Sequence, residues 1–269
     1  MQLRNKVLQK GMSMVELLIV VTIMGLLLAA VLSGVKLLEQ TKLNSVLGDF
    51  QRYRIAFNSY YDYYKLFPGD DNKAFARWGT TCGADATNCN GDADGKLSYA
   101  AAVGSLNESI VAWKHLALGG FIPNVQIKVY SASDPATMGH SQHLPTSNIT
   151  RNAAYFFADD VQKDSVAGGA GTLFEGKVGI FIGKFPGGGL ASTNTTANNA
   201  PAEAALTGSQ ATYIATKMGD ETPAFGAVRA TASQGSPSTA CWSDSSGVTI
   251  KGGSSDPTCL VGLQVVHAY

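Results

Sequence analysis

The sequence is poor in charged residues. Asp, Glu, Lys and Arg make up 15% of its 269 residues, and 20 basic and 20 acidic side chains balance to a formal net charge of zero at pH 7. A protein without a basic field lacks the long-range attraction that draws nucleic acid to a surface. We therefore expect no nucleic-acid partner. The 30 glycines favour a body that is rich in loops and contains β-structure.

Signatures of catalysis are lacking as well. The sequence contains no GxSxG motif, and none of its four histidines lies in an HExxH context. Residues 171–177 have the glycine and lysine spacing of a phosphate-binding loop, but Val178 replaces the Ser or Thr that must contact Mg²⁺. The sequence therefore predicts that the protein is not an enzyme.

Cysteine is scarce, and its spacing is informative. The four cysteines form two local pairs, Cys82 with Cys89 and Cys241 with Cys259. An even number at close spacing favours disulfides in an oxidising compartment such as the bacterial periplasm. Neither pair has the CxxC spacing of zinc or thioredoxin-like sites. We expect two disulfides, the alternative being reduced and buried thiols.

Charge is absent altogether from residues 17–35, which read LLIVVTIMGLLLAAVLSGV. A membrane-spanning helix needs about 20 mostly apolar residues, so this segment is long enough to cross a bilayer. It is longer than the apolar stretch of about 7–15 residues in a removable secretory signal. Residues 1–11, further toward the N-terminus, contain Arg4, Lys6 and Lys10 and no acid. The positive-inside rule then places the N-terminus in the cytoplasm and the downstream body outside.

Glu16 lies at the entrance of this apolar segment. An ionised side chain inside a bilayer costs about 2.5–3.5 kcal/mol even on the lenient scales, so such a residue usually has a partner. The alternative is that Glu16 remains at the depth of the lipid headgroups.

Residues 10–21, KGMSMVELLIVV, resemble the class III signal of type IV prepilins and type II secretion pseudopilins. The resemblance implies that a prepilin peptidase cleaves after Gly11 and methylates the new terminal amine of Met12. The glutamate that the family has at the fifth mature position falls on Glu16. Met12 replaces the more usual phenylalanine, a departure that the peptidase is expected to tolerate.

The resemblance also implies a fold and an assembly contact. We expect an α+β, pilin-like fold in which a long N-terminal helix packs on a C-terminal antiparallel sheet with loop insertions. In a filament, Glu16 of one subunit would meet the Met12 amine of its neighbour, which neutralises both charges and sets the axial register.

Four segments follow from this interpretation. Residues 1–11 are a basic leader, 12–36 the membrane and filament-core half of the helix, 37–66 its amphipathic half, and 67–269 a globular periplasmic or extracellular domain. Apolar side chains recur every three or four residues in the amphipathic half, and Pro68 and Gly69 end the pattern. They are Leu43, Leu47, Phe50, Tyr53, Phe57, Tyr60 and Tyr64.

Local patterns predict the elements of the body. Stretches bounded by Gly, Pro, Asp or Asn favour strands, apolar spacing favours a short helix, and a Gly-, Ser- and Thr-rich stretch favours an exposed loop. The predicted strands are 125–130, 177–185, 211–216, 226–230 and 260–266, the helix is 101–119, and the loop is 186–208.

A candidate calcium loop follows Cys89. Asn90, Asp92, Asp94 and Gly95 follow the first half of an EF-hand loop, in which alternate oxygen side chains converge and the glycine permits a sharp turn. We expect a structural Ca²⁺, and the resemblance supports it because secretion pseudopilins commonly carry one. The alternative is an Asx-rich turn without metal.

The remaining ligands of this loop are less regular. Lys96 would contribute its backbone carbonyl, and Ala101 stands where the bidentate glutamate is expected. Glu108 can substitute for that glutamate if the chain folds back. Asp70 and Asp71 are expected to be turn or capping residues.

The resemblance implies a structural subunit. It would wait in the inner membrane as a single-pass protein, lose its leader to the prepilin peptidase, and join other pilin or pseudopilin subunits through an inner-membrane assembly platform. A type II secretion pseudopilus that supports protein secretion is favoured. Two alternatives remain: a lectin- or receptor-like binding module on an uncleaved anchor, and a secreted calcium-dependent hydrolase with an unusual signal.

Overall fold

The structure is a computed structural model that describes residues 12–97, 107–122, 128, 140–159, 174, 177–184, 203–219, 227–232, 241 and 259–265. The chain divides into two compact units, Met1–Lys42 and Leu43–Tyr269. The helices are α1 (Met14–Tyr64), α2 (Ala74–Trp78), α3 (Glu108–Leu118), α4 (His140–His143) and α5 (Gly208–Lys217). The strands are β1 (Ala153–Ala158), β2 (Gly179–Lys184), β3 (Glu203–Ala204), β4 (Val228–Ala232) and β5 (Cys259–Gln264).

Helix α1 is 51 residues long, and its second half has the predicted amphipathic character. Over residues 43–64 one face is buried, and the buried positions recur at intervals of three and four. Burying such side chains contributes about 1.5–3 kcal/mol for each large apolar group. The helix ends at Tyr64 because Lys65 adopts a left-handed conformation with φ of 58°. The buried residues are Leu43, Val46, Phe50, Tyr53, Ala56, Phe57 and Tyr60.

The strands form one antiparallel sheet in the order β1-β2-β5-β4, with β3 paired to β2. Aromatic rings connect this sheet to the second half of α1. Phe57 packs on Phe157 of β1 with ring centroids 5.0 Å apart, and Tyr155 of β1 donates a hydrogen bond to Asp49 at 3.0 Å. The predicted α+β arrangement of one long helix and an antiparallel sheet is confirmed.

Several predicted elements of the body are confirmed with shifted ends. The strand predicted at 177–185 is β2, that at 226–230 is β4 from Val228 onward, and that at 260–266 is β5. The helix predicted at 101–119 corresponds to α3. Asn107 is its N-cap residue, and the Asn107 side chain accepts a hydrogen bond from the N–H of Ile110. The strand predicted at 125–130 lies outside the described residues apart from Lys128.

Other predictions are wrong. Residues 211–216 are helical, because Thr207 and Gln210 form a capping box that starts α5 just before them. Strand β1 was missed because all six of its residues are buried, so it shows no alternation between apolar and polar side chains. Most of the predicted loop 186–208 lies outside the described residues, and its described end contains β3 and the start of α5.

Both predicted disulfides are present. Cys82 and Cys89 are joined with their Cα atoms 5.5 Å apart, and Cys241 and Cys259 with theirs 5.0 Å apart. The first bridge closes a short loop between α1 and α3. The second fastens Cys241 to the start of β5.

Candidate functional site

The start of α1 contains the predicted processing and assembly residues that the structure describes. Gly11 and the leader 1–11 lie outside the described residues, whereas Met12, Ser13 and Glu16 are exposed at the helix start. The backbone N–H of Ser13 donates to Glu16 Oε2 at 2.9 Å, and the N–H of Val15 donates to Ser13 Oγ at 3.3 Å. Glu16 is therefore hydrogen-bonded to its own chain at the first turn.

The apolar half of α1 exposes its side chains. From Met14 to Leu38 every large apolar side chain is exposed, with exposed fractions between 43% for Val20 and 90% for Met14. Leaving such side chains in water forgoes about 1.5–3 kcal/mol each. The helix is also long and apolar enough to cross a membrane. This segment therefore has the properties of a membrane anchor whose surroundings are lipid or other helices.

A second site lies just beyond the C-terminal end of α1. One carboxylate oxygen each of Asp70, Asp92 and Asp94 lie within 4.8 Å of one another. Asp70 is buried, whereas the other two side chains are exposed. Ca²⁺ takes oxygen ligands at 2.3–2.6 Å, so oxygens on opposite sides of the ion are about 4.6–5.2 Å apart. Three hard oxygen donors at this spacing fit such a cation.

The backbone brings these carboxylates together. Gly91 N donates to Asp71 O at 3.2 Å and Ala93 N donates to Asp70 O at 3.1 Å, so two distant segments run side by side. A Cβ at Gly91 would lie 2.3 Å from the Asp70 Cα. This close approach requires glycine at position 91.

Asp70 is the buried acid of the cluster. Its carboxylate accepts hydrogen bonds from Asp94 N at 3.1 Å and Gly95 N at 2.9 Å. Burial raises the pKa of Asp70 to about 6, although these backbone donors act in the opposite direction. At neutral pH it is an ionised carboxylate beside other acids, an arrangement that a divalent cation stabilises.

Only some of the predicted calcium ligands belong to the cluster of carboxylates. Asp92 and Asp94 belong to the cluster, but the Asn90 side chain accepts a hydrogen bond from Phe75 N at 2.8 Å. Glu108 does fold back, and its Oε1 accepts from Asp92 N at 3.4 Å. Lys96 N donates to Asp94 Oδ1 at 2.9 Å. Calcium binding itself stays a prediction.

Asp70 is the residue that sequence reasoning missed. It was expected to be a turn or capping residue, because no local spacing connects it with the loop that follows Cys89. Asp71, in contrast, turns away from the cluster. It forms an ion pair with Arg77 and accepts a hydrogen bond from the Tyr60 hydroxyl at 2.6 Å.

His115 joins the two segments that form the cluster. Its Nδ1 accepts from Gly69 N at 2.9 Å, and its Nε2 donates to Cys89 O at 2.9 Å. Burial lowers the pKa of His115 to about 3, so the ring is neutral. Cys82 and Cys89 lie beside it, but their sulfur atoms are joined in a disulfide and do not form a thiolate metal site.

The neutral state of His115 predicts a pH-dependent stability. Its folded pKa lies below the ordinary value of 6.5, so the unfolded chain binds a proton that the folded chain does not. The stabilisation is complete above pH 6.5 and is lost as the pH falls toward 3. Within this window, each decrease of one pH unit lowers the free energy of unfolding by about 1.4 kcal/mol.

Urea unfolding of the full chain in detergent micelles measures this effect. Between pH 6.5 and 4.5 we expect the wild type to lose about 2–3 kcal/mol more than the His115→Gln variant. The comparison cancels the titration of the acids, which both proteins share. Parallel pH profiles for the two proteins would contradict this role of His115.

Comparison with known protein families found a match at the N-terminus. Residues 7–32 match the family model of the prokaryotic N-terminal methylation motif, which is the signature of type IV pilins and pseudopilins. The matched stretch includes Gly11, Met12 and Glu16 and confirms the resemblance. No curated protein and no solved structure matched the chain.

Proposed function

We propose that this chain is a structural subunit that polymerises through α1 into a type II secretion pseudopilus or a related type IV pilus-like filament, and so supports protein secretion. The observation that carries the proposal is the methylation motif at residues 7–32, which leads directly into a long helix with exposed apolar side chains. A pilin-like subunit needs this combination, because the same surface must lie in lipid first and against other subunits later.

Processing and location follow from the motif. A prepilin peptidase cleaves after Gly11 and methylates Met12, and the basic leader stays on the cytoplasmic side. The subunit is then a single-pass protein of the bacterial inner membrane with its body in the periplasm. Both disulfides support this location, since such bridges persist in oxidising compartments. An inner-membrane assembly platform would supply the work of extraction.

Glu16 gives the filament its register. Once the leader is removed, the Met12 amine is a cation, and Glu16 of the adjacent subunit is the matching anion. Both would be costly if left unpaired among apolar helices. Pairing them is possible at one axial offset between neighbours, so the contact selects a single arrangement of subunits.

The mature N-terminus tests this proposal. Mass spectrometry of the protein from bacterial membranes is expected to find N-methylated Met12 as the first residue. A binding module on an uncleaved anchor would begin at Met1, and a secreted hydrolase would begin well beyond Leu32. Gly11→Val should block cleavage, whereas Met12→Phe should be cleaved like the wild type. An uncleaved wild-type chain in a host with an active prepilin peptidase would refute the proposal.

We further propose that the body binds a structural Ca²⁺ through Asp70, Asp92 and Asp94. The donor set supports this, because Ca²⁺ prefers carboxylate oxygens. Glu108 is buried and its Oε1 accepts a hydrogen bond from Asp92 N, so the predicted substitute glutamate contacts the loop that carries two of the three acids. Bound Ca²⁺ would supply the positive charge that the cluster needs, and would fasten the end of α1 to the loop beyond Cys89.

A further inference from the structure

Asn90 and Gly91 form the only Asn-Gly pair in the sequence. Such a pair is chemically reactive, because the backbone nitrogen that follows an asparagine can attack the side-chain amide, and glycine has no Cβ to hinder the approach. Both residues are half-buried in the loop after Cys89, so water reaches them. The loop therefore contains a dipeptide that is able to modify itself.

The fold requires both residues of this pair. A Cβ at Gly91 would lie 2.3 Å from the Asp70 Cα. Lys73 is the N-cap residue of α2, and its side chain forms no capping hydrogen bond in this described part of the chain. Asn90 Oδ1 supplies the acceptor instead, because Phe75 N–H in the first turn of α2 donates to it at 2.8 Å. Packing and capping thus place a reactive pair at residues 90 and 91.

The native contacts of the pair oppose its reaction. Gly91 N–H donates to Asp71 O at 3.2 Å, so the attacking nitrogen is held in a hydrogen bond. Asn90 is fixed at both ends, since its N–H donates to Ala86 O at 2.8 Å and its Oδ1 accepts from Phe75 N. Ring closure requires the Asn90 side chain to leave Phe75 and the Gly91 nitrogen to leave Asp71. The loop must therefore open before the pair can react.

We propose that Asn90 is a modification site at which the chain converts its own asparagine to aspartate and isoaspartate, and that the native contacts hold this conversion back until the loop opens. The Gly91 nitrogen forms a bond to Asn90 Cγ, the bond from Cγ to Nδ2 breaks, and Nδ2 leaves as ammonia with the proton that the Gly91 nitrogen releases. Water then opens the five-membered succinimide at one of its two carbonyl groups. The reaction needs no oxidant, reductant or other reactant.

The conversion leaves a permanent record that the loop has opened. When water opens the ring at the former backbone carbonyl, the main chain of the product runs through Cβ and Cγ of residue 90 and is one atom longer. The carbonyl that bound Phe75 N is then part of the main chain, and Gly91 is displaced from Asp71. Refolding cannot restore both contacts. This inference depends neither on filament assembly nor on calcium.

Timed incubation of the full chain in detergent micelles at mildly alkaline pH tests the proposal. The wild type is compared with Cys82→Ser/Cys89→Ser, which frees the loop from its disulfide, and with Cys241→Ser/Cys259→Ser, the matched loss of the other disulfide. Each protein is incubated folded, and also unfolded in urea with a dithiol reductant. Peptide mass spectrometry measures the converted fraction of Asn90, and an isoaspartyl-specific carboxyl methyltransferase detects the isoaspartate.

In urea, we expect the three proteins to convert Asn90 at similar rates, because nothing then holds the loop closed. The folded wild type should react about tenfold more slowly or slower still, since the loop must open first. Folded Cys82→Ser/Cys89→Ser should lose most of this protection, because the disulfide fixes the residue next to Asn90. Folded Cys241→Ser/Cys259→Ser should react within about twofold of the wild-type rate, because local opening does not depend on a distant bridge.

The contrary results are equally clear. Equal rates in the folded and unfolded wild type would show that the native contacts give no protection, and a lack of conversion in urea would show that the pair is unreactive. Either result overturns the proposal. A folded Cys82→Ser/Cys89→Ser chain that is as protected as the wild type would contradict the role of the loop. Circular dichroism identifies a variant that has unfolded altogether, in which case the two wild-type rates decide.

Discussion

Replacing Glu16 with alanine is expected to leave the subunit in the membrane and to remove it from filaments. The apolar residues 17–35 remain unchanged, so insertion does not depend on the carboxylate. In the filament, the neighbour's Met12 amine would lose its counter-ion among apolar helices. Removing one partner of a buried ion pair costs about 3–5 kcal/mol. Incorporation should therefore fall at least a hundredfold.

Two variants sharpen this prediction. Glu16→Gln should fail almost as completely as Glu16→Ala, because it keeps a hydrogen-bond acceptor but has no charge to pair with the amine. Glu39→Ala is the matched control, since Glu39 is an exposed acid further along the same helix. It should assemble like the wild type. The measurement is the ratio of each variant in sheared filaments to that variant in the inner membrane.

Membrane insertion and leader removal must be recorded for each variant in the same samples. A Glu16→Ala chain that is inserted, cleaved and still incorporated normally would remove the register contact from the mechanism. A chain that is neither inserted nor cleaved would show that Glu16 acts before assembly. Both results would contradict the role assigned to Glu16.

The fold could be predicted wherever one physical pattern dominated. The apolar segment and the three- and four-residue spacing over residues 43–64 each arise from a single environment, lipid in one case and a one-sided core in the other. Tyr53 and Tyr60 are buried as that spacing requires. Local chemistry was also sufficient for Cys82 and Cys89, whose short separation made their pairing evident.

Prediction failed where local propensity competed with capping or with burial on both faces. Residues 211–216 include Thr, Tyr and Ile, which favour strands, yet the capping box formed by Thr207 and Gln210 starts a helix there. In β1, the aromatic residues 155–157 favour a strand, but all six residues are buried, so no alternation of apolar and polar side chains marks it. It forms a strand because β2 pairs with it along all six residues.

The candidate metal site shows the limit of spacing arguments. Asp92 and Asp94 were found because alternate acids converge in a short loop. Asp70 was not, because its contact with Gly95 spans 25 residues of sequence. That contact exists because His115 binds both Gly69 and Cys89, and because the disulfide fixes Cys89. Residues outside the motif thus decide which acid completes the cluster.

Removing calcium is expected to lower the melting temperature of the full chain in detergent micelles. A ligand present at a hundred times its Kd stabilises the folded state by about 2.7 kcal/mol. For a domain of this size, that corresponds to a decrease of roughly 5–10 °C on adding a chelator. Mg²⁺ should restore little of the loss, because it requires a small octahedral site and gives up its water reluctantly.

Asp70→Asn is the decisive variant for this site. Burial raises the pKa of Asp70 to about 6, so its ionised form destabilises the calcium-free fold above its ordinary pKa of 3.8. Asn removes this charge but keeps only one of the two oxygens that accept hydrogen bonds from Asp94 N and Gly95 N, so the two effects oppose each other. The variant should therefore differ little from the wild type in chelator and should gain nothing from added Ca²⁺. Asp62→Asn, which changes an exposed acid on α1, should keep the full response to calcium.

Asn90→Ala distinguishes the cluster seen in the structure from the ligand set expected from spacing alone. The Asn90 side chain accepts a hydrogen bond from Phe75 N, so its loss should lower stability by about 1 kcal/mol with or without calcium. The increase in melting temperature on adding Ca²⁺ should persist, because the three carboxylates remain. If Asn90→Ala abolishes the calcium response and Asp70→Asn preserves it, the ion binds to the EF-hand-like loop and not to the cluster centred on Asp70. If chelator leaves the wild-type melting temperature unchanged, Ca²⁺ has no structural role here, and the raised pKa of Asp70 is simply a cost of burying an acid in this turn.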